Sequence, residues 1–520
     1  MISKEDRKRG YYPTPPDLVE LAHEYLKPDI VEKETVWWDP CAGEGALLSG
    51  CTDGSTVFAT DLIDPGIWSS CEFDFLNDDM IPHRISDLFS EDLRWVFIMN
   101  PPFSQGTGGQ YVPKGDGARR GLSDTMVGKR MKVERMGLSM RNTACQFIYR
   151  IENLIREHSL DAIIALFCPT GILSGPGYSS FRRFWFEDSH LVRGFCFNSK
   201  RFDNVSAEWP MMFGVWGRGG EDLPPEFDVL EEDIPEGYSS RKIFSCPSLP
   251  FSSIPIRPKA TVIRPPMIVP LAVAEKGVDK QSKDAIASIY SDGNDVRHSF
   301  SSCYITTGPN AHTGSWSITP DNFDDTMFLF SVRRLVKPNW LNWQDQFSCP
   351  DGPEDEIEEF KWDAIAWSLF ERKNMTSSVK LSYKGEDFDL RNQFFWGELE
   401  GKRQSNSSDF IQDDIDENGM CETFVHRWIG DHIDRISLDI QDVISMFSKF
   451  TSETFRFRHL CDPSYQLHRW DAGLFQIRRG MLDIKESLPE HVLQILCDFD
   501  HMHSSVAERL RPKIRRFGIL

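Results

Sequence analysis

An unbroken apolar run, Trp95-Val96-Phe97-Ile98-Met99, stops abruptly at Asn100-Pro101-Pro102-Phe103. A short apolar run ended by prolines reads as a strand buried on both faces, of the kind found in α/β folds. In open α/β sheets ligands bind at the carboxyl ends of the strands, so the tetrapeptide stands where chemistry is done. The Asn100 side-chain oxygen and the Pro101 carbonyl offer two acceptors at one spot, on a backbone that the prolines stiffen. Two converging acceptors suit a planar NH2 group on an aromatic ring. Binding both hydrogens draws the nitrogen toward tetrahedral geometry and frees its lone pair, while Phe103 can stack on the ring. Taken alone, Asn-Pro-Pro is equally a strand ended by a proline stop, and the segments upstream must decide.

Tyr11-Tyr12-Pro13-Thr14-Pro15-Pro16 is a rigid lead into an amphipathic helix predicted from Asp17 to about Leu26. Thr35–Trp38 reads as a strand, followed by Asp39-Pro40-Cys41-Ala42-Gly43-Glu44-Gly45-Ala46-Leu47-Leu48. Small residues at 42, 43, 45 and 46 let the backbone turn tightly, and a helix expected to follow would point its amides at a ligand. The turn is neither GxGxxG nor a Gly-Lys-Ser/Thr phosphate loop. Val57–Asp61 is a second strand ending in an acid, the usual partner of ribose hydroxyls. Asp74, within Cys71–Leu76, is placed to accept from an adenine amine. One acid at a strand end is an ordinary turn residue. Three in register with a glycine turn point to a nucleoside-bearing cofactor.

Residues 11–16, 39–47, 61, 74–76 and 100–103, in that order, resemble an S-adenosylmethionine-dependent N6-adenine DNA methyltransferase of the gamma class. The resemblance covers about 1–218. It implies a Rossmann-like α/β core, a mixed seven-stranded sheet with helices on both faces, followed by a C-terminal mixed α+β domain. Tyr12, Thr14, Asp39, Pro40, Cys41, Ala42, Gly43 and Gly45 would hold the methionine end of S-adenosylmethionine. Asp61, with Leu62 beside it, would take the ribose, and Asp74 with Phe75 the adenine. Asn100, Pro101, Pro102 and Phe103 would hold a flipped adenine, with Phe202 as a second aromatic facing it. The match continues through a helix at 144–157, a buried strand at 162–169, a helix at 181–187 and a hairpin of 192–197 with 211–216.

The implied reaction is direct in-line methyl transfer to the adenine N6 amine of double-stranded DNA, with no metal. RNA adenine, a protein glutamine amide, and a non-catalytic subunit of a restriction or defence complex stay open as alternatives. Residues 219–239 read as a linker and 240–520 as a domain for target recognition, with helical periodicity at 424–447 and 490–510. Aromatic clusters there (Phe360-Lys361-Trp362, Asn392–Trp396, Trp470–Gly473) read as core, and the acidic runs Glu354–Glu359 and Asp413–Glu417 as solvated loops.

Net charge is −21 over 520 residues, which excludes a uniformly basic nucleic-acid coat. Basic charge is instead local. The segment 104–141 carries eight Lys and Arg against three acids. It lacks a sustained periodic pattern and reads as a mobile loop, with Arg119, Arg120, Lys129 and Arg130 as phosphate contacts. The 12 cysteines form no CxxC pair, which speaks against disulfide and zinc frameworks. No run of about 18 apolar residues or signal segment is present, so a cytoplasmic protein without membrane contact is expected.

Overall fold

The computed structural model describes residues 12–29, 34–51, 55–67, 69–102, 125–202, 205, 208–219, 224–244, 262–264, 268–269, 272–273, 279–281, 285–291, 293–308, 315–383, 386–395, 423–469 and 471–520. They fall into two compact units. The first is built from 1–247 together with 339–346, and the second from 248–338 with 347–520.

The first unit is organised by one sheet. Its strands are β1 (Thr35–Asp39), β2 (Thr56–Asp61), β3 (Ser69–Glu72), β4 (Arg94–Met99), β5 (Asp161–Pro169), β6 (Ser189–Asn198), β7 (Pro210–Arg218), β8 (Glu226–Val229) and β9 (Arg241–Ile243), in the order β3-β2-β1-β4-β5-β7-β6-β8-β9. β3, β2, β1, β4 and β5 run parallel, and β7 enters antiparallel between β5 and β6. This is the mixed Rossmann-like sheet expected, extended by β8 and β9. The apolar run of β4 is divided by the pleat. Trp95, Phe97 and Met99 enter one core, whereas Val96 and Ile98 enter the other. Helices cover both faces. Leu18, Val19, Ala22 and Leu26 of α1 (Pro16–Leu26) join Val96 and Ile98. α2 (Met126–Val133), α3 (Thr143–His158) and α4 (Ser179–Phe186) bury their apolar stripes with Phe97.

Four expectations that bear on the first unit are corrected. The glycine turn leads only into a 3-10 segment, Ala46–Gly50, in place of a helix. The 219–239 stretch is not a linker, because it contains β8, whose Phe227 and Val229 alternate into the core between exposed acids. Part of the basic segment 104–141 is folded. Thr125 caps α2 by accepting from the Gly128 amide, and Val127 and Met131, four residues apart, are buried. The rest of that segment, 104–124, lies outside the described residues. Last, Asn339–Gln346 returns from the second half of the sequence into the first unit. Trp340 and Leu341 join the core of β4 and α3. The Trp340 indole donates to the Asp233 carbonyl (2.7 Å), Asn342 Nδ2 to the Tyr238 hydroxyl (2.7 Å), and Ser174 Oγ to the Gln344 carbonyl (3.1 Å). Asp345 pairs with Lys242 of β9.

The second unit is α+β. An antiparallel sheet places β10 (Ala287–Tyr290) between β11 (Tyr304–Thr306) and β12 (Ser315–Ile318). Around one core pack α5 (Phe323–Leu335), α6 (Glu354–Ser368), α7 (Phe424–His432), α8 (Leu438–Thr454) and α10 (Glu490–Arg516), with α9 (Leu474–Asp483) alongside. The 424–447 periodicity resolves into α7 and α8, and Phe360, Trp362, Phe394 and Phe395 are buried, as read for a core. The acidic run at 354–359 is not a loop but the first turns of α6, where carboxylates favour the positive helix end. Glu359 pairs with Lys513 (3.1 Å) and Glu356 with Arg516 at the basic end of α10. Asp413–Glu417 and the tryptophans at 396 and 470 lie outside the described residues. Among the described residues no helix is long and apolar enough to cross a membrane.

One buried charge braces the first unit. Glu152 of α3 is fully buried, and its carboxylate accepts from Arg218 Nη1 of β7 (2.6 Å) and from the Ser189 hydroxyl of β6 (2.5 Å). Removing one partner of a buried pair strands the other charge. Arg218→Ala is therefore expected to cost about 3–5 kcal/mol in urea denaturation, and adding Glu152→Gln to recover much of it. A cost below about 1 kcal/mol would show that the carboxylate is neutral without its arginine.

Candidate active site

Parallel pairing of β1, β2 and β4 brings their carboxyl ends to one edge, where Asp39, Asp61 and Asn100 emerge. The N-terminal segment lies on that edge as well. Asn100 Nδ2 donates to the Tyr12 carbonyl (3.0 Å) and to Thr14 Oγ1 (3.0 Å). Those two bonds use both amide hydrogens. A carbonyl can only accept, so the amide is fixed with its nitrogen toward Tyr12 and its oxygen away. Asn100 Oδ1 is left buried without a hydrogen-bond partner. A buried acceptor without a donor is costly, and such an atom in a native fold calls for a missing partner. Pro101 is buried and Pro102 half-buried, while Phe103 lies outside the described residues.

The turn after β1 is closed by carboxylates. Cys41 N donates to Asp39 Oδ1 (3.0 Å) and Gly43 N to Asp61 Oδ2 (2.8 Å), and Ala42 N binds the Thr60 carbonyl (3.0 Å). Gly43 and Gly45 hold φ of 52° and 77°, left-handed values that admit glycine without strain. Burial pushes the Asp39 carboxyl up to about 7, helped by the charge of Asp61 and opposed by the Cys41 amide. Burial also raises the Cys41 thiol well above its ordinary value, with the charges of Asp39 and Asp61 acting in the same direction. Asp61 Oδ1 accepts from Leu62 N (2.7 Å). Beside it, Leu62 and Ile63 stand 61% and 72% exposed, an apolar step on the rim of the site.

Asp74 is a turn residue as well as a candidate ligand group. Its Oδ1 accepts from the amides of Leu76 (3.0 Å) and Asn77 (3.1 Å), and its Oδ2 from Asn77 Nδ2 (2.7 Å). The Phe75 ring is stacked on Phe147 at 5.2 Å in the core, so a ligand contact by Phe75 falls to its backbone. Sequence reading missed Arg150 of α3. Its guanidinium donates to the Phe75 carbonyl and lies over the Phe73 and Phe75 rings (5.4 and 4.9 Å), and burial lowers its pKa to about 10. The visible signal was a cation set among buried positions of an amphipathic helix.

Two expected substrate contacts fare differently. Phe202 is 1% exposed and packs on Phe197 (5.8 Å), so the structure places its ring in the core. The apolar environment of the 197–202 turn offers that ring more burial than an open pocket would. Lys129 and Arg130 stand exposed on α2, but Arg130 already pairs with Asp79 (2.9 Å). Arg119 and Arg120 lie outside the described residues.

The Asp39 shift has a sign that can be tested. A carboxyl whose folded pKa is about 7, against an ordinary 3.8, keeps its proton in the folded state where the unfolded chain has lost it. Its contribution to stability is full below about pH 4 and is lost as pH rises toward 7, at up to about 1.4 kcal/mol per unit. Asp39→Asn keeps the acceptor for the Cys41 amide and cannot titrate. Subtracting its urea-derived stability from that of the native chain between pH 4.5 and 7.5 should give a falling curve. A flat difference would mean that Asp39 is ionised throughout.

No family model and no curated protein matches this chain. Among solved structures it is similar to the modification subunit of a putative type I restriction enzyme from Vibrio vulnificus, at 16% identity and a TM-score of 0.29, over 44% of this chain and 49% of that one. It is similar to a type I restriction-modification methyltransferase subunit from Streptococcus thermophilus at 14% identity and a TM-score of 0.30, over 45% and 50%. A putative class I S-adenosylmethionine-dependent methyltransferase from Listeria monocytogenes gives 14% and 0.29, over 44% and 68%. This chain thus spans about half the length of the two restriction-system subunits.

Proposed function

We propose that the chain transfers a methyl group from S-adenosylmethionine to the N6 amine of adenine in DNA. The observation that carries the reading is Asn100 Oδ1, a buried acceptor without a donor, on an amide whose nitrogen is already engaged. An aromatic amine supplies the missing donor. The cofactor contributes a methyl group on a positively charged sulfur, already activated for transfer. The residues at this edge fit it. Asp39 is a buried carboxyl able to ionise beside a cation, the Gly43–Gly45 turn allows close approach, Asp61 stands at the β2 tip for the ribose, and the exposed Leu62 offers an apolar surface to the adenine.

Asn100 and the Pro101 carbonyl hold the two amine hydrogens, turn the nitrogen lone pair toward the donor, and stabilise the positive charge that grows on nitrogen. In a duplex the base must first leave the stack. The choice of DNA rests on the motif order and on a second unit large enough to read a groove. Labelled methyl transfer assayed in parallel on duplex DNA, RNA and protein tests it, and transfer to RNA or protein alone would replace DNA as the acceptor.

Two substitutions separate the halves of the site. Asn100→Ala should lower turnover by orders of magnitude while calorimetry finds cofactor affinity intact. Asp61→Ala should weaken cofactor binding by about 1.5–3 kcal/mol, the scale of a hydrogen bond to a charged group. Near-normal turnover in the first, or unchanged affinity in the second, would remove that residue from its role.

A further inference from the structure

Thr14 is placed by resemblance at the methionine end of the cofactor, yet its hydroxyl is engaged elsewhere: it accepts from Asn100 Nδ2 at 3.0 Å. We propose that Thr14 is a positioning residue for Asn100, and that the docked 12–17 segment keeps this amide turned so that Oδ1, and not the NH2 group, meets the incoming amine. The inference rests on the reading of Asn100 as the amine acceptor and deepens it.

A side-chain amide has two orientations of nearly equal shape, related by a half-turn, which exchange an acceptor for a pair of donors. Presented with its NH2 group outward, Asn100 would set donors against the donors of the substrate amine, and the site would be inactive. The Tyr12 carbonyl and Thr14 Oγ1 together select the productive orientation, because both hydrogens find acceptors only one way round. The selector is itself held rigidly. Thr14 is buried, at 8% exposure, between Pro13 and Pro15, whose rings fix the backbone. Pro15 O accepts from Val19 N (3.0 Å), and Leu18 and Val19 anchor α1 in the core. Asp17 pairs with Arg201 Nη1 (3.3 Å), and the same guanidinium grips Asp233 and Glu232, each at 2.8 Å. The segment therefore controls the chemistry without having to touch the substrate.

The test uses the full chain labelled with 15N-asparagine. The side-chain NH2 signal missing from Asn100→Ala is assigned to Asn100, and its solvent exchange is compared in Thr14→Val and Thr14→Ser. In the native chain exchange should be slow. Thr14→Val, close in shape but without the hydroxyl, should speed it at least roughly tenfold and lower kcat by a similar factor, the scale of one hydrogen bond. KM for DNA and the calorimetric Kd of the cofactor should stay within about twofold, and Thr14→Ser should recover most of both losses. Should the valine variant not fold, Thr14→Ala removes the same hydroxyl. Unchanged exchange, or a weakened cofactor Kd with intact kcat at saturation, would overturn the proposal and return Thr14 to the cofactor. A native chain with a slowly exchanging Asn100 amide that methylates no DNA, RNA or protein would defeat the proposed function while leaving the orientation control standing.

Discussion

A primary amide carries two donors on one side and an acceptor on the other, and at Asn100 the fold has settled which side is used. The Tyr12 carbonyl and the Thr14 hydroxyl consume the donors, so the acceptor is what remains. That assignment depends on elements far apart in the sequence. β4 must end where it does, α1 must dock on the opposite core, and the intervening prolines must hold the lead-in extended. A sheet whose parallel strands share one carboxyl edge is the economical way to bring such segments together, because neighbouring strands deliver their tips side by side whatever their order in the chain.

The polar groups along that edge hold its backbone turns in shape. Asp61 closes the glycine turn through the Gly43 amide, and Asp74 closes its own turn through Leu76 and Asn77. Asp74 Oδ1 spends both lone pairs on its turn, whereas both oxygens of Asp61 and Asp74 Oδ2 take one bond each and keep a lone pair. The same acids that shape the backbone are those the proposed reading assigns to the ribose and the adenine.

Much of the first unit was legible because its strands are long, apolar and closed by prolines or acids. β4 and β5 announce themselves in this way, and the β6–β7 hairpin follows from two such runs. What escaped was short or non-local. β8 has two inward residues in a proline-rich, acidic stretch, too few to outweigh their surroundings. α2 follows a glycine-rich segment, and only its Thr125 cap and the Val127–Met131 pair mark it. The burial of Phe202 depends on Phe197 beside it, since an aromatic ring near an apolar cluster gains by entering it. Arg150 could be seen as an oddity on its helix, but nothing local says that it will grip the Phe75 carbonyl. The return of Trp340 and Leu341 into the first core leaves no trace in the sequence at all, since contacts so remote have no period to read.

That return limits how the chain can evolve by exchange. A gene segment encoding everything after residue 247 would seem a natural cassette, but replacing it also replaces Trp340, Asn342 and Asp345, which are parts of the first unit. A donor cassette lacking a matching octapeptide would leave a hole under the indole site and orphan the Asp233 carbonyl and Lys242. The second unit can therefore change position by position at no cost to the first, whereas wholesale exchange at residue 247 would strip the first unit of part of its own core.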